Sequence, residues 1–212
     1  MPADVIPVVR GEFSIEDPWR TPSAADAHPL RLSTDGSAPR LATTVAVYYD
    51  RRCLNVLFSA VDDEQVVATL TGHDDPIYDE DVVEAFLAPV TPSIYYEIEA
   101  SPLATVFDAR IESLGGIRQT MKADRAWNCE GLFVAIRRLM AAPKPARVDT
   151  LIRIPFASLG RDVPEPDETW WANFYRIDRH PGGDEYSAWS PTLKDPADFH
   201  VTASFGRILF RP

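Results

Sequence analysis

The sequence predicts an all-β protein, an antiparallel β-sandwich of about ten strands with jelly-roll-like or immunoglobulin-like layering. Three observations lead to this prediction. Short runs of alternating apolar and polar residues recur along the chain from Ala42 onward. Turn-forming residues separate these runs at short intervals. No apolar pattern with the helical period continues for more than about two turns, so stacked antiparallel sheets are favoured over a parallel sheet with crossover helices.

The first segment, residues 1–40, is predicted to form an N-terminal arm packed on a body that spans residues 41–212. The arm is rich in proline, alanine, serine and aspartate, and only Val5–Val9 has the pattern of a strand. Trp19 is the side chain expected to anchor the arm. The body opens with a hairpin in which Thr44–Tyr49 and Leu54–Val61 flank a turn at residues 50–52.

The middle of the chain contributes three strands, Val82–Ala88, Ile94–Ala100 and Thr105–Glu112. Successive side chains of a strand point to opposite faces of the sheet. Val82, Glu84 and Phe86 therefore share one face, which places a carboxyl group among apolar neighbours. On the next strand Tyr95, Glu97, Glu99 and Ser101 share a face by the same alternation.

The last third of the chain continues the all-β pattern. Further strands are predicted at Leu132–Arg137, Thr150–Ile154, Trp170–Asp178, Tyr186–Trp189 and Phe205–Phe210. Between the second and third of these, residues 155–160 predict a single helical turn that ends at Gly160.

The charge of the chain disfavours two classes of partner. The formal net charge is −11, which opposes binding to nucleic acid and to anionic membrane surfaces. There is no run of 18 apolar residues and no basic, apolar signal-peptide pattern at the start, so the sequence predicts a cytoplasmic location, or an exported one only if the chain is a fragment. Cys53 and Cys129 lack metal-type spacing and are expected to be reduced thiols.

The segment from Asp74 to Leu87 carries the strongest functional signal. An acidic loop interrupted by proline holds Tyr78 and leads directly into the strand that contains Glu84. An aromatic ring suits the apolar C–H face of a sugar, and a carboxylate accepts hydrogen bonds from its hydroxyls. The alternative interpretation is an edge strand in which Glu84 pairs with an arginine.

Seven segments of the chain form a recognisable series. They are YYDRRCLNVLFSAVDD (48–63), DDPIYDEDVVEAFLAP (74–89), YYEIEASPLATVFDARI (95–111), LIRIPFASLG (151–160), WWANFYRIDR (170–179), EYSAWSPT (185–192) and DFHVTASFGRILF (198–210). In this order they resemble carbohydrate-binding module family 9 and the broader group of DOMON-like β-sandwiches, from about Leu41 to the C-terminus. The resemblance implies a non-catalytic module that binds mono- or oligosaccharide ends weakly, in connection with polysaccharide catabolism.

The resemblance also implies site residues. Glycan-binding members hold a sugar between two tryptophans, and the matching positions here are Tyr78 and Phe199. The strand glutamate of these members matches Glu84, and two polar positions, which resemble arginine and asparagine in sugar binders, fall on Glu99 and Ser101. Arg176 is expected to add a polar contact, and Trp189 matches a further aromatic residue of the family.

Some members of this family bind structural calcium through loop carboxylates. Asp62, Asp63, Asp74 and Asp75 supply oxygen donors of the right kind, although their spacing does not match an EF-hand. No cofactor is certain from the sequence, and calcium is a candidate that the resemblance suggests for this chain.

Two other functions remain open at the level of sequence. Some DOMON-like sandwiches hold haem, for which Met121 and Met140 are the candidate ligands. The other alternative is a small glycan-active hydrolase that uses Glu84 and Glu99 as its carboxylate pair.

Overall fold

The computed structural model describes residues 4–62, 66–114, 118–139 and 146–212. The strands in these ranges are β1 (Val5–Arg10), β2 (Ala27–Pro29), β3 (Arg31–Leu32), β4 (Thr43–Tyr49), β5 (Cys53–Asp62), β6 (Val82–Thr91), β7 (Ile94–Ala100), β8 (Val106–Ser113), β9 (Met121–Asp124), β10 (Phe133–Leu139), β11 (Ala146–Pro155), β12 (Thr169–Asp178), β13 (Glu185–Ala188) and β14 (Gly206–Phe210). Short 3₁₀ turns lie at Ile77–Asp79, Arg118–Thr120, Phe156–Leu159 and Thr202–Ser204. None of the helical turns in the described ranges is long and apolar enough to cross a membrane.

The strands form two sheets that share β1. Sheet I has the order β10-β11-β5-β4-β1, with β2 paired to β4, and sheet II has the order β1-β14-β12-β6-β7-β8-β9, with β13 and β3 attached to β12. Strand β1 runs parallel to β14 through Val5–Val8 and parallel to β4 through Val9 and Arg10. The other described pairings are antiparallel.

The main hydrophobic core lies between the two sheets. Val45, Val56 and Phe58 of sheet I belong to the same buried cluster as Phe174 and Phe210 of sheet II. Phe58 and Phe174 meet with ring centroids 6.2 Å apart, in an edge-to-face arrangement typical of aromatic pairs in protein interiors. This shared core makes the protein a β-sandwich.

A second hydrophobic cluster covers the outer face of sheet II. Phe86, Tyr95, Phe107 and Tyr175 project from β6, β7, β8 and β12, opposite in direction to the core side chains of the same strands. Phe199, from the segment that precedes β14, packs on them. Irregular chain segments, and not a third sheet, cover this outer face. They leave space for a cavity between themselves and sheet II.

The predicted all-β class and sandwich architecture are confirmed, whereas the predicted number of strands was too low. The arm contributes β1, β2 and β3, although the sequence pattern indicated only the first of these. Strand β9 was also missed, because three of its four residues are exposed and it has no apolar alternation. The helical turn before Gly160 is present, and this glycine has a φ of 64°, which its lack of a side chain permits. Cys53 and Cys129 are buried free thiols.

Candidate functional site

A cavity of about 400 Å³ opens on the outer face of sheet II, within the range typical of small-ligand sites. Its floor is formed by side chains of β6, β7 and β8, and its walls come from the 3₁₀ turn at Ile77–Asp79, from β9 and from residues 197–200. The lining residues are Tyr78, Glu84, Glu97, Glu99, Phe107, Arg118, Met121, Ala123, Arg125, Ile177, Arg179, Tyr186, Ala197, Asp198, Phe199 and His200.

Three buried glutamates lie together in this cavity. Glu84 on β6 is the direct cross-strand partner of Glu99 on β7, and Glu97 lies two residues earlier on the same face of β7. One carboxyl oxygen from each of the three lies within 4.8 Å of the other two. Glu97 is the only described residue whose side chain pairs with the Glu99 carboxyl group, and no N–H donor of the described residues reaches either Glu99 oxygen. The cavity therefore holds acceptor oxygens that the described part of the protein does not satisfy.

The environment of these glutamates favours their protonated forms. Burial, and then the neighbouring carboxylate of Glu97, raises the pKa of Glu84 well above its usual value. Burial and the neighbouring charge of Glu84 also raise the pKa of Glu99 well above its usual value. Burial raises the pKa of Glu97 to about 7. Removal from water penalises an unpaired carboxylate, and a second carboxylate nearby adds to the penalty.

We expect these shifts to make stability depend on pH. Because the folded pKa values lie above the unfolded ones, the folded state retains protons that the unfolded state releases, and stability falls as pH rises. Glu99→Gln cannot ionise at this position, so above the ordinary glutamate pKa of 4.5 its free energy of unfolding should decline less with rising pH, by about 1 kcal/mol per pH unit until the folded pKa is passed. His200 has the opposite dependence below about pH 7, because burial lowers its pKa from 6.5 to about 4, and the native protein and the variant share that contribution.

Thermal unfolding at several pH values measures this effect, and the variant should melt ~2–4 °C above the native protein at the upper end. Glu112→Gln is the matched control, since Glu112 is exposed on β8 and pairs with Arg110. Parallel pH curves for Glu99→Gln and the native protein would contradict the assignment of raised pKa values to the buried cluster.

Aromatic side chains form parts of the cavity wall. Tyr78 is half-buried and meets Phe107 edge-on, with ring centroids 5.5 Å apart. Phe199 stacks on Tyr175 with centroids 4.2 Å apart and an interplanar angle of 14°. Phe199 is only 8% exposed, so most of its surface supports the cluster beneath and a small part faces the cavity.

Three arginines line the cavity, and their hydrogen-bond partners are groups other than the three glutamates. Arg118 donates to Asp198 at 2.7 Å, and Arg125 donates to the hydroxyl of Tyr78 at 3.2 Å. Arg179 donates to the Asp184 carboxylate, to the Tyr186 hydroxyl and to the carbonyl oxygen of Tyr78, each at 2.7 Å. These bonds fix the guanidinium groups around the cavity.

His200 connects the buried glutamates to the aromatic cluster. Its Nδ1 lies 2.7 Å from the Tyr95 hydroxyl, and its Nε2 lies 3.8 Å from a carboxyl oxygen of Glu97. Burial lowers the pKa of His200 to about 4, so the imidazole is neutral at neutral pH. The imidazole of His200 therefore provides no positive charge that could stabilise an ionised glutamate in the cavity.

The structure brings together four of the seven site residues expected from the sequence: Tyr78, Glu84, Glu99 and Phe199 all line the cavity. The alternative interpretation of Glu84 on an edge strand is wrong, because β6 lies between β12 and β7. The expected clamp of two facing rings remains a prediction for Tyr78 and Phe199.

The other three expected site residues lie elsewhere. Ser101 is fully buried at the end of β7, where its hydroxyl accepts hydrogen bonds from the backbone N–H groups of Leu103 and Thr105. It fixes the turn into β8 and does not line the cavity. Arg176 also points away from the cavity, since alternation along β12 directs Tyr175 and Ile177 to the outer face and Arg176 between the sheets.

The partners of Arg176 explain its position. Its guanidinium donates to Asp178, to the Thr43 hydroxyl and to the Val61 carbonyl, at 2.8, 3.1 and 2.8 Å. Arg176 therefore does not add the polar contact that was expected of it in the cavity. The positive charge of Arg176 pairs with Asp178 between the two sheets.

Trp189 belongs to the core between the sheets, contrary to the expectation that it contacts ligand. It is 6% exposed and meets Phe174 with ring centroids 5.8 Å apart. It also packs over Gly206, where an added Cβ would lie 2.5 Å from its indole ring. The absence of a side chain at Gly206 is what makes room for the tryptophan.

Several residues that line the cavity were not expected from the sequence to belong to the site. Glu97 was detectable, because it precedes Glu99 by two residues on one strand and must share its face. His200 adjoins Phe199 in sequence but carries no pattern of its own. Arg118, Arg125 and Arg179 come from separate segments outside any motif, so only the fold reveals them.

Among the described residues, the expected calcium donors do not come together in one cluster of ligand atoms. Asp62 is buried at the end of β5, and Asp63 lies outside the described residues. Asp75 accepts a hydrogen bond from the N–H of Gly72. Asp74 lies beside His73 and Asp108, and ligand atoms of these three residues lie within 4.8 Å of one another. One carboxyl oxygen of Asp108 is buried without a hydrogen-bond partner among the described residues, which fits a bound cation.

Comparison with protein families identifies one match. The family model described as carbohydrate-binding family 9 matches residues 33–210. No curated protein matches the chain.

Solved structures share the fold at low sequence identity. A candidate carbohydrate-binding protein from Bacteroides uniformis is 15% identical, with a TM-score of 0.70, and the match covers 99% of this chain and 100% of that one. A family 9 module from Caldicellulosiruptor kristjanssonii in complex with cellotriose is 14% identical, with a TM-score of 0.61, over 98% of this chain and 94% of that one. The module from the same organism in complex with glucose is 14% identical, with a TM-score of 0.56, over 98% and 96% of the two chains.

Proposed function

The chain belongs to carbohydrate-binding family 9, and from this premise we propose that the cavity on the outer face of sheet II binds the end of a glycan chain. The protein is a carbohydrate-binding module, and its cavity is the part of the described structure best suited to a sugar. The single observation that carries the proposal is the convergence of aromatic side chains and buried acceptor groups in one cavity of about 400 Å³.

Each part of the cavity has a function in this proposal. The rings of Tyr78 and Phe199 offer apolar surface to the C–H face of a sugar. Glu84, Glu97 and Glu99 offer oxygen atoms to hydroxyl groups, and Arg118 and Arg125 offer N–H donors near the opening. A small contact area of this kind supports binding constants on the order of μM to mM.

A non-catalytic role is part of the same proposal. A glycosidase needs one protonated and one ionised carboxyl group at the bond that is cleaved. Burial and mutual repulsion raise the pKa of both Glu84 and Glu99, so neither is held in the ionised form that a nucleophile or base requires. The pair proposed for a hydrolase is therefore better suited to hydrogen bonding than to hydrolysis.

The haem alternative has weaker support than carbohydrate. Met121 lines the cavity, and the Tyr95 hydroxyl lies 3.7 Å from its sulfur and 2.7 Å from Nδ1 of His200. Two groups that contact the same hydroxyl are poorly placed to approach opposite faces of a haem. Met140 lies outside the described residues. The buried glutamates would also repel the carboxylate groups of a haem.

We also propose a calcium site at Asp74 and Asp108. Their carboxylates lie together, and an oxygen of Asp108 lacks a partner among the described residues. Oxygen donors are the ligands that calcium prefers. Bound there, the ion would join the loop before β6 to strand β8 and would stabilise one side of the cavity.

Calorimetric titration tests the carbohydrate proposal. We expect saturable heat with at least one member of a panel of soluble glucans, xylans and mannans, in the range of μM to mM. Each titration is run with calcium and with a chelator, and the products are assayed for new reducing ends. If no glycan produced heat above that of buffer in either condition, the carbohydrate proposal would be wrong. If new reducing ends were released, the protein would be an enzyme and not a non-catalytic module.

A further inference from the structure

We propose that the cavity prefers a sugar with a free amino group, whose ammonium lies among Glu84, Glu97 and Glu99. The inference rests on the proposed carbohydrate function and specifies the class of sugar. Its basis is the combination of three clustered, buried carboxyl groups, the absence of a direct cationic partner for them among the described residues, and walls suited to a ring.

The spacing of the three glutamates suits an ammonium group. A sugar ammonium has three N–H donors directed toward the corners of a tetrahedron. With N···O distances of about 2.8 Å, its three acceptors lie about 4.6 Å apart. One carboxyl oxygen from each glutamate lies within 4.8 Å of the other two, a limit that includes the spacing an ammonium requires.

The described part of the protein leaves these carboxyl groups without a direct cationic partner. Glu99 is fully buried and lines the cavity, and apart from the neighbouring carboxyl group of Glu97 its two oxygens have no hydrogen-bond partner among the described residues. The arginines nearby donate to Asp198, Asp184 and tyrosine oxygens instead. Burial of carboxyl groups without hydrogen bonds is unfavourable, and a ligand that brings both donors and positive charge removes that cost.

The remainder of the wall favours a sugar ring over a bare metal ion. Tyr78, Phe107 and Tyr186 line the same cavity, together with Ile177 and Met121. A metal ion uses only the three carboxylates and leaves this apolar surface without a partner. A sugar ring uses both features, because its C–H face lies against aromatic rings while its ammonium reaches the glutamates.

Calorimetry on the full chain near neutral pH tests the inference with matched pairs of ligands. Glucosamine and its β-1,4-linked disaccharide are compared with their N-acetylated forms, with glucose and cellobiose, and with calcium chloride alone. We expect the amino sugars to bind at least about tenfold more tightly than the acetylated and neutral sugars, which corresponds to one charge-assisted contact of about 1.4 kcal/mol.

Variants connect this preference to the glutamates. Glu99→Gln should reduce the preference to within about threefold, whereas Glu112→Gln, on an exposed residue of β8, should leave it unchanged. Glu97→Gln is the second variant if Glu99→Gln does not fold, and the ligand comparison on the native protein stands without either. A circular dichroism spectrum confirms that each variant is folded.

The outcomes separate this inference from the proposed function. Tighter binding of neutral or acetylated sugars overturns the ammonium preference and leaves the carbohydrate site in place. Saturable binding of calcium alone that Glu99→Gln abolishes, with no preference for amino sugars, assigns the cluster to a metal and also overturns the inference. Absence of binding to every sugar overturns the inference together with the proposed function.

Discussion

Replacement of Tyr78 by alanine is expected to weaken glycan binding by tenfold to a hundredfold, the loss typical of a central aromatic contact. Tyr78 is half-buried, so one part of its ring packs against Phe107 while the rest lines the cavity. Removal of the ring eliminates apolar surface that a sugar would otherwise cover. It also releases Arg125, whose guanidinium donates to the Tyr78 hydroxyl.

Two further variants separate the contributions of the ring and the hydroxyl. Tyr78→Phe keeps the ring and removes the bond from Arg125, so it should retain affinity to within about threefold. Tyr96→Ala removes an equally half-buried ring on β7 that faces the other way and packs on Trp127, and it should leave affinity unchanged. Calorimetry with the best glycan measures all three, and native affinity in Tyr78→Ala would place the ligand elsewhere.

Replacement of Trp189 by alanine is expected to lower the free energy of unfolding by about 3–5 kcal/mol, the cost of truncating a large core aromatic residue. The indole packs against Phe174 and occupies the space above Gly206, so its removal leaves a cavity between the sheets. Because Trp189 does not line the candidate site, the folded variant should bind glycan with native affinity.

Urea denaturation and calorimetry measure the two effects separately. Trp19→Ala is the matched control, because Trp19 is half-buried at the surface and lies against Arg137; its removal should cost about 1 kcal/mol. A Trp189 variant with native stability and lost affinity would contradict its assignment to the core and restore it as a ligand contact.

The face of each central side chain could be predicted from sequence, because alternation is a local property of a strand. Val82, Glu84 and Phe86 share a face as expected, and so do Tyr95, Glu97 and Glu99. The same alternation places Arg176 opposite Tyr175, but the sequence alone did not reveal which face of β12 lies inside the sandwich.

Features that depend on distant segments could not be predicted in this way. The pairing of Glu84 with Glu99 depends on the register of β6 and β7. The hydrophobic pattern determines which side chains share a face, but it does not distinguish registers that differ by two residues. Arg118 and Arg125 flank β9, a short exposed strand without a recognisable pattern. The parallel pairing of β1 with both sheets also depends on the whole fold, since parallel neighbours need not be close in sequence.

The location of bound glycan on the protein is the most direct test of the central claim. Backbone amide chemical shifts are recorded as the best ligand of the calorimetric panel is added to the native protein. We expect the largest shifts at Tyr78, at Glu97–Glu99 and at Asp198–His200, which surround the cavity on sheet II. Shifts confined to the arginine-rich hollow formed by residues 10–13, 50–52 and Arg153, with none on sheet II, would contradict the account.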